Sequence, residues 1–366
     1  MKALTVGSAM IDTIAIIASE SIEHMSMRNA DSSFLLLEEG SKTDAIEISA
    51  HCGGGAINTA VAMSRLGLDV ATLIKLGRDS RAEVILARLM EEKVSTRWAL
   101  RDERAPTGAS VLVSSHDRNA AVFTFRGANT LLEPSDLRDE AFAVDLCYIS
   151  NLSNRSAECF PLLVRQAKAQ GALVAANPGV RQLSARGGAL LESLRGIDIL
   201  TLNRREACVL VPGLVARFGE GGPPLPTEDG ERLTALASRG LSGGGFQMRL
   251  TAFFQALAEL GARFVLVTDG SSGAFLGMGN EVLFCPAAHA EIAGTAGAGD
   301  AFAATFSCFV AAGRPPDIAL RAATINAASV VAHVDTQTGL LRKDEMEARL
   351  AERSAELKIR RWHLGA

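Results

Sequence analysis

Short, continuous apolar runs alternate along this chain with stretches in which apolar residues recur every three or four positions. The runs Leu4–Val6, Val70–Ile74, Leu146–Ile149, Ala172–Ala175, Ile197–Leu202 and Phe264–Thr268 read as strands buried on both faces. Helical periodicity marks residues 55–66, 80–92, 155–170, 182–194 and 249–260 between them. Two further helices, at about 300–312 and 316–332, are separated by Pro315-Pro316, a pair suited to a helix start. A charged surface helix at about 343–360 completes the pattern. Strands without polar alternation, spaced by helices, predict an α/β fold. Its core is a doubly wound, mostly parallel central sheet with helices on both faces.

Two segments break this rhythm. Residues 13–50 lack a helix period; within them "SSFLLLEEG" and "DAIEIS" read as strands around a Glu-Gly turn. Residues 107–126 contain "GASVLVSSHDRNAAVFTF", a hairpin pattern with its turn near Asp117–Asn119. Together they predict a small β-lid over one edge of the main sheet. Residues 212–247 are rich in Pro and Gly and read as a mobile insertion, not a domain boundary. Residues 1–366 are therefore expected to form a single α/β domain.

Composition narrows the picture. Of 366 residues, 48% are hydrophobic and 21% charged, a balance that builds a large core and excludes a disordered chain. The net charge of −4 gives no basic surplus for nucleic acid or an anionic membrane. Cys52, Cys147, Cys159, Cys208, Cys285 and Cys308 share no CxxC spacing, so reduced thiols in a cytoplasmic protein are expected. Gly7 and Asp12 interrupt the apolar N-terminal run, which reads as a first buried strand instead of a signal peptide.

The candidate chemistry sits at strand ends and glycine turns. "LTVGSAMID" ends a strand on Asp12, which either faces a ligand crevice or caps a turn. "HCGGGAINTAVAMSRLG" brings three glycines before a helix with Asn58 in its first turn. A dinucleotide fingerprint requires glycine at 58, so a nicotinamide-dependent oxidoreductase is disfavoured. Close backbone approach to a polar ligand and a plain tight turn both remain open. "EEGSKT" lacks the order of a P-loop. "LTLNRREA" supplies Asn203 and Glu206, which suit Mg²⁺ and phosphate, though alone they read as a capping box. "FVLVTDGSSGAFL" offers Thr268 and Gly270 to a phosphate, or forms a hairpin. His51, His116, His289 and His333 have no metal-ligand spacing and are read as structural. "GTAGAGDAF" is a glycine turn feeding a helix N-terminus, a natural anion seat, with Asp300 directly behind it.

The order of these features resembles the ribokinase-like (PfkB) family of carbohydrate and nucleoside kinases. "GGGAINTAVAMSRLG" is similar to its first signature and "GTAGAGDAFAATF" to its second; "NRRE", "VTDG" and "RAATINAAS" fall in the family's order. The resemblance implies ATP-dependent phosphorylation of a hydroxyl of a small sugar or sugar-like alcohol. It implies Asp300 as catalytic base and Gly297, Ala298 and Gly299 as the anion hole. Asp12, Gly54, Gly55 and Asn58 are implied in substrate binding. Asn203, Glu206, Thr268, Gly270 and Asn326 are implied on the nucleotide side, with Glu206 holding Mg²⁺ through water. ATP and Mg²⁺ are the implied cosubstrate and metal, and the β-lid an implied homodimer interface. A nucleoside is the alternative acceptor, for which Phe34, Phe123 and Phe125 offer aromatic lid contacts. A non-catalytic sensor keeping the fold is disfavoured by retention of Asp300. The second signature commonly begins Asp-Thr-Thr; here it is Gly294-Thr295-Ala296, so the family's usual K⁺ site is not expected.

Overall fold

The computed structural model describes residues 1–18, 23–26, 33–36, 40, 42–115, 120–226 and 233–364. Strand β1 (Lys2–Val6) is followed by β2 (Met10–Ile17), β3 (Glu23–Ser26), β4 (Ser33–Leu36) and β5 (Ala45–Gly53). Then come α1 (Gly55–Arg65), β6 (Asp69–Gly77), α2 (Ser80–Glu91), β7 (Ala99–Asp102), β8 (Gly108–Ser115) and β9 (Ala120–Phe125). The next stretch holds β10 (Leu146–Ile149), α3 (Phe160–Ala169), β11 (Leu173–Ala176), α4 (Val180–Ser193), β12 (Ile199–Asn203) and α5 (Arg204–Phe218). After α6 (Ala235–Arg239), β13 (Leu241–Gly243) and β14 (Phe246–Met248) come α7 (Leu250–Glu259), β15 (Phe264–Thr268), β16 (Ala274–Met278) and β17 (Glu281–Cys285). The chain closes with α8 (Ala298–Ala311), α9 (Pro316–Val331), α10 (Lys343–Arg353) and β18 (Arg360–His363).

The main sheet runs β18-β17-β16-β15-β12-β11-β10-β1-β6-β7. It is parallel from β15 to β7 and antiparallel over the last three strands on the other side. The apolar runs are continuous because both faces are covered. Leu4, Val6, Cys147, Ile149 and Val174 enter a core with α3, α4, α5 and α7. Their neighbours Ala3, Leu146, Tyr148 and Ala175 enter a second core with α1, α2, α8 and α9. Residues of period two thus feed two helical layers, as a doubly wound sheet demands. All six cysteines are free. Among the described residues no helix is long and apolar enough to cross a membrane.

A second sheet, β5-β2-β8-β9, stands apart from the first. β2 pairs antiparallel with β5 and parallel with β8, and β8 forms the expected hairpin with β9. The expected turn at Asp117–Asn119 lies outside the described residues, as do Glu38 and Glu39. The structure departs from the sequence pattern in several places. The strand at 33–36 pairs with Glu23–Ser26, and that at 45–53 with Met10–Ile17, instead of with each other. Asp12 does not end a strand of the parallel sheet: β1 stops at Val6, and Asp12 lies within β2. Gly7, with φ 148°, lets the chain leave one sheet for the other. The charged C-terminal helix also ends earlier than expected, and Arg360–His363 forms an edge strand with Trp362 turned inward. Residues 212–218 belong to α5, and 241–248 form a small hairpin packed against it.

Candidate active site

The centre of the site is the start of α8. Gly297 caps the helix with φ 80° in the left-handed region. A Cβ there would lie 2.7 Å from Cβ of Thr336, so glycine is required by both conformation and space. The N–H groups of Ala298, Gly299 and Asp300 precede the first intrahelical bond, which Ala301 donates to the Gly297 carbonyl. They and the helix dipole point at one spot, over which Gly299 is exposed with open space around it.

Asp300 is half-buried in the first turn of that helix. The Asn58 side-chain amide donates to it at 2.8 Å. Burial pushes the Asp300 carboxyl up to about 6; the Asn58 hydrogen bond opposes this, and the nearby charge of Asp12 adds to it. Asn58 is itself fixed. It is 3% exposed, and its oxygen accepts from the Thr336 hydroxyl at 2.9 Å and the Gln337 amide at 3.3 Å. Gln337 also donates to the Cys52 carbonyl, while Arg88 donates to its side-chain oxygen and Arg65 to its main-chain oxygen. These two arginines hold the buried Glu92 between them. A hydrogen-bonded line therefore runs from a buried ion-pair group through Gln337 and Asn58 to the Asp300 carboxylate.

Asp12 reaches the same region from the second sheet, where its carboxylate accepts from the Ser110 hydroxyl. Burial raises its pKa against the opposing effects of Ser110 and His51. Gly54 has φ 101°, and a Cβ on it would meet the Ser8 carbonyl at 2.6 Å. Gly55 sits beside Ser150 and Asp300; a Cβ there would lie 2.8 Å from Ser150 and 3.6 Å from Oδ1 of Asp300. Asp12, Gly54, Gly55 and Asn58 are thus gathered around Asp300. The Asn58 oxygen, however, is taken by Thr336 and Gln337, and one of its donors by Asp300.

On the other side of the α8 N-terminus lies a groove of about 690 Å³. Asn203, Arg204, Arg205, Thr268, Gly270 and Gly299 are among its lining residues. Asn203 and Glu206 form the capping box of α5, with reciprocal bonds of 2.9 and 2.8 Å. Burial pushes Glu206 up to about 7; the Asn203 N–H lowers it, and the charge of Asp300 contributes to the rise. Thr268 ends β15 and Gly270 stands in the turn to β16, and both face the groove as well. Asn326 does not join them. It is fully buried, donates to the Thr305 hydroxyl at 2.8 Å and accepts from the Leu341 N–H at 3.0 Å. Its neighbour Ala327 lines the groove instead, and Asn326 ties α9 to α8 and to the segment after Gly339. Phe123 and Phe125 are also redirected. They alternate with Thr124, which shares the face of Ser110 and Asp12, so both stand on the opposite face of the second sheet.

Sequence reasoning missed Thr336 and Gln337. Their contact with Asn58 spans 278 and 279 residues, and no local spacing could reveal it. Ser110, Arg204 and Arg205 were also missed; only the double arginine inside "NRRE" carried a visible signal.

A family profile described as "pfkB family carbohydrate kinase" matches residues 4–212 and 247–343, passing over the segment between them. A deoxyribokinase of Salmonella typhi is 23% identical over 328 residues, covering 89% of this chain and 94% of that protein. A solved ribokinase of Arabidopsis thaliana, complexed with ribose and ATP, superimposes with a TM-score of 0.67 at 21% identity, covering 95% of this chain and 98% of its own. The nucleoside kinase of Burkholderia thailandensis, in complex with inosine, gives a TM-score of 0.70 at 17% identity, covering 97% and 100%.

Proposed function

The chain belongs to the pfkB family of carbohydrate kinases, and from that premise we propose that it transfers the γ-phosphoryl group of ATP to a hydroxyl of a small sugar or sugar-like alcohol. The observation that carries this reading is the Asp300 carboxylate, held by Asn58 directly behind the free N–H groups of the α8 turn. One turn then serves both partners of the reaction. Asp300 accepts the proton of the acceptor hydroxyl as its oxygen bonds to the γ-phosphorus. The bond from that phosphorus to the β–γ bridging oxygen breaks, and ADP leaves. The N–H groups of Ala298 to Asp300 donate to the phosphoryl oxygens as charge moves along this line. Asp12, backed by Ser110, accepts from a second hydroxyl and fixes the acceptor. The β2-β5-β8-β9 sheet acts as a lid that excludes water.

The residues present fit a Mg²⁺ ion brought by the nucleotide. Glu206 uses one carboxylate oxygen in the capping box and keeps the other free of it, and its capping partner Asn203 lines the groove. Among the described residues no cluster of three metal-ligating side chains is present, so Glu206 would hold the ion together with phosphate oxygens and water. Mg²⁺ supplies neutralisation of phosphate charge when bound. Nucleotide turnover with a panel of neutral and acidic sugars and nucleosides tests the reading; phosphorylation of a nucleoside alone would select the alternative acceptor. The position of Phe123 and Phe125 away from Asp12 favours the sugar.

Two further expectations arise. A Cβ on Gly294 would lie 3.1 Å from the His333 carbonyl and 3.2 Å from that of Val334, and Ala296 offers no hydroxyl. Without a carboxylate at 294, K⁺ gains no anchor, so rates should be equal in K⁺, Na⁺ and choline salts at one ionic strength. Strong activation by K⁺ would contradict this. The outer face of the lid exposes Ile48, Val111, Phe123 and Phe125, at 68, 43, 61 and 52%. Such a patch suits a clasp between two copies. Light scattering should give a dimer for the native chain and a monomer for Phe123→Glu; a native monomer would remove the clasp.

A further inference from the structure

A cavity of about 260 Å³ opens beside the acceptor side of the site, and four arginines line it: Arg126, Arg155, Arg181 and Arg186. Arg186 is paired with Glu158 at 2.7 Å. Among the described residues Arg126 and Arg181 have no carboxylate partner, while Arg155 feels the charge of Glu133. Arg126 donates to the Ser153 hydroxyl at 2.7 Å and makes no ion pair. It is half-buried, and burial lowers its pKa, with the facing charge of Arg181 adding to the effect. Leaving a partly desolvated guanidinium next to a second cation is costly unless an anion joins them.

Two short stretches of chain tie the lining of this cavity to Asp300 and Asp12. Arg126 directly follows β9, and Asn129, three residues on, clamps Ala9 with both of its amide atoms, at 2.8 and 2.9 Å. Ala9 belongs to the turn that delivers Asp12 into β2. In the second stretch the lining residue Asn151 follows Ser150, whose side chain packs against Gly55 beside Asp300. The groove lined by Asn203 and Thr268 shares none of these residues.

We propose that this cavity receives an anionic group of the acceptor itself, so that the substrate is an acidic sugar or sugar derivative, a carboxylate or phosphate being gripped by Arg126 and Arg181. This rests on the kinase reading above and narrows its substrate class. The reaction is unchanged: an acceptor hydroxyl forms the bond to the γ-phosphorus, ADP departs, and Asp300 takes the hydroxyl proton. The anionic group is not consumed. It holds the acceptor by charge-assisted hydrogen bonds while a hydroxyl at its other end meets Asp300.

The test compares matched acceptors: neutral aldoses, the corresponding sugar acids, and the corresponding sugar phosphates, each with ATP. The acidic member of a pair should have the higher kcat/KM. The two acidic arms show whether carboxylate or phosphate is preferred. Arg126→Gln, and the exposed Arg181→Gln as a second variant, should raise KM for the acidic acceptor by about 10- to 100-fold, with kcat much less affected. A preference for neutral acceptors, or an acid-to-neutral ratio unmoved in both variants, would overturn the proposal. So would an acid that speeds phosphorylation of a neutral sugar without being phosphorylated, since the cavity would then be an effector site. If no acceptor in any arm is phosphorylated, the kinase reading has failed, and calorimetry with the same acids decides the cavity separately. Binding lost in Arg126→Gln supports it, and equal or absent binding in wild type and variant overturns it.

Discussion

Asp300→Asn is expected to lower kcat by about 10²- to 10⁴-fold while ATP binding persists. The amide keeps the volume of the carboxylate and still accepts from Asn58, but it cannot take a proton from the acceptor hydroxyl. The groove proposed for the nucleotide lies on the other side of the helix start and is untouched by the change. The wild-type pH profile carries the same signature. Because the Asp300 carboxyl is pushed up to about 6, kcat/KM should fall below that pH, well above the ordinary aspartate range. Residual activity of Asp300→Asn should lack this limb. Stability should move the opposite way. The folded chain holds the Asp300 proton more tightly than the unfolded chain, so the stability from this group is complete below its ordinary value of 3.8 and is lost as pH rises through about 6. Asp300→Asn escapes that loss and should melt higher than wild type at neutral pH, the difference vanishing in acid. Steady-state rates, nucleotide titration and thermal melts across pH check all three. Near-normal turnover of the variant would remove Asp300 from its role.

Gly297→Ala should be nearly as damaging, though no functional group is deleted. At φ 80° an alanine is strained, and its Cβ would meet Thr336 Cβ at 2.7 Å and Cα at 2.9 Å. Thr336 donates to Asn58, and Asn58 orients Asp300, so the clash reaches the base and the phosphoryl-binding amides together. We expect a stability loss of about 1–3 kcal/mol from strain and overpacking. We also expect kcat to fall about 10²-fold from misplacement of reacting groups. Urea melts and steady-state rates measure the two effects. A variant with native stability and native turnover would show that the left-handed cap is dispensable.

The parallel sheet was legible because its strands are apolar on both faces, and a run such as "FVLVT" allows little else. The α8 turn was legible because "GAGD" joins backbone freedom, a helix start and a carboxylate within four residues. The second sheet was only half legible. The β8–β9 hairpin is local and alternates, but β2 pairs with a strand more than thirty residues on and with another across α1 and α2, and no local pattern encodes those partners. Reading "LTVGSAMID" as one strand failed at Gly7, whose φ allows a change of sheet that the apolar pattern conceals. Asn326 shows a different limit. Its place in the motif order was right, but its side-chain direction depends on Thr305 and the Leu341 N–H, which only the fold brings together. The arginines of the acceptor-side cavity come from the end of β9, the loop after β10 and helix α4, so their convergence was invisible as well.

This chain is expected to form a phosphomonoester on a sugar-type hydroxyl at the expense of ATP. Phosphorus NMR of a reaction with ATP, Mg²⁺ and the sugar panel reads that product directly. The account predicts a new phosphomonoester signal that grows in step with ADP, and its loss with Asp300→Asn. ATP hydrolysis to ADP and inorganic phosphate with every acceptor, or no nucleotide consumption at all, would contradict it.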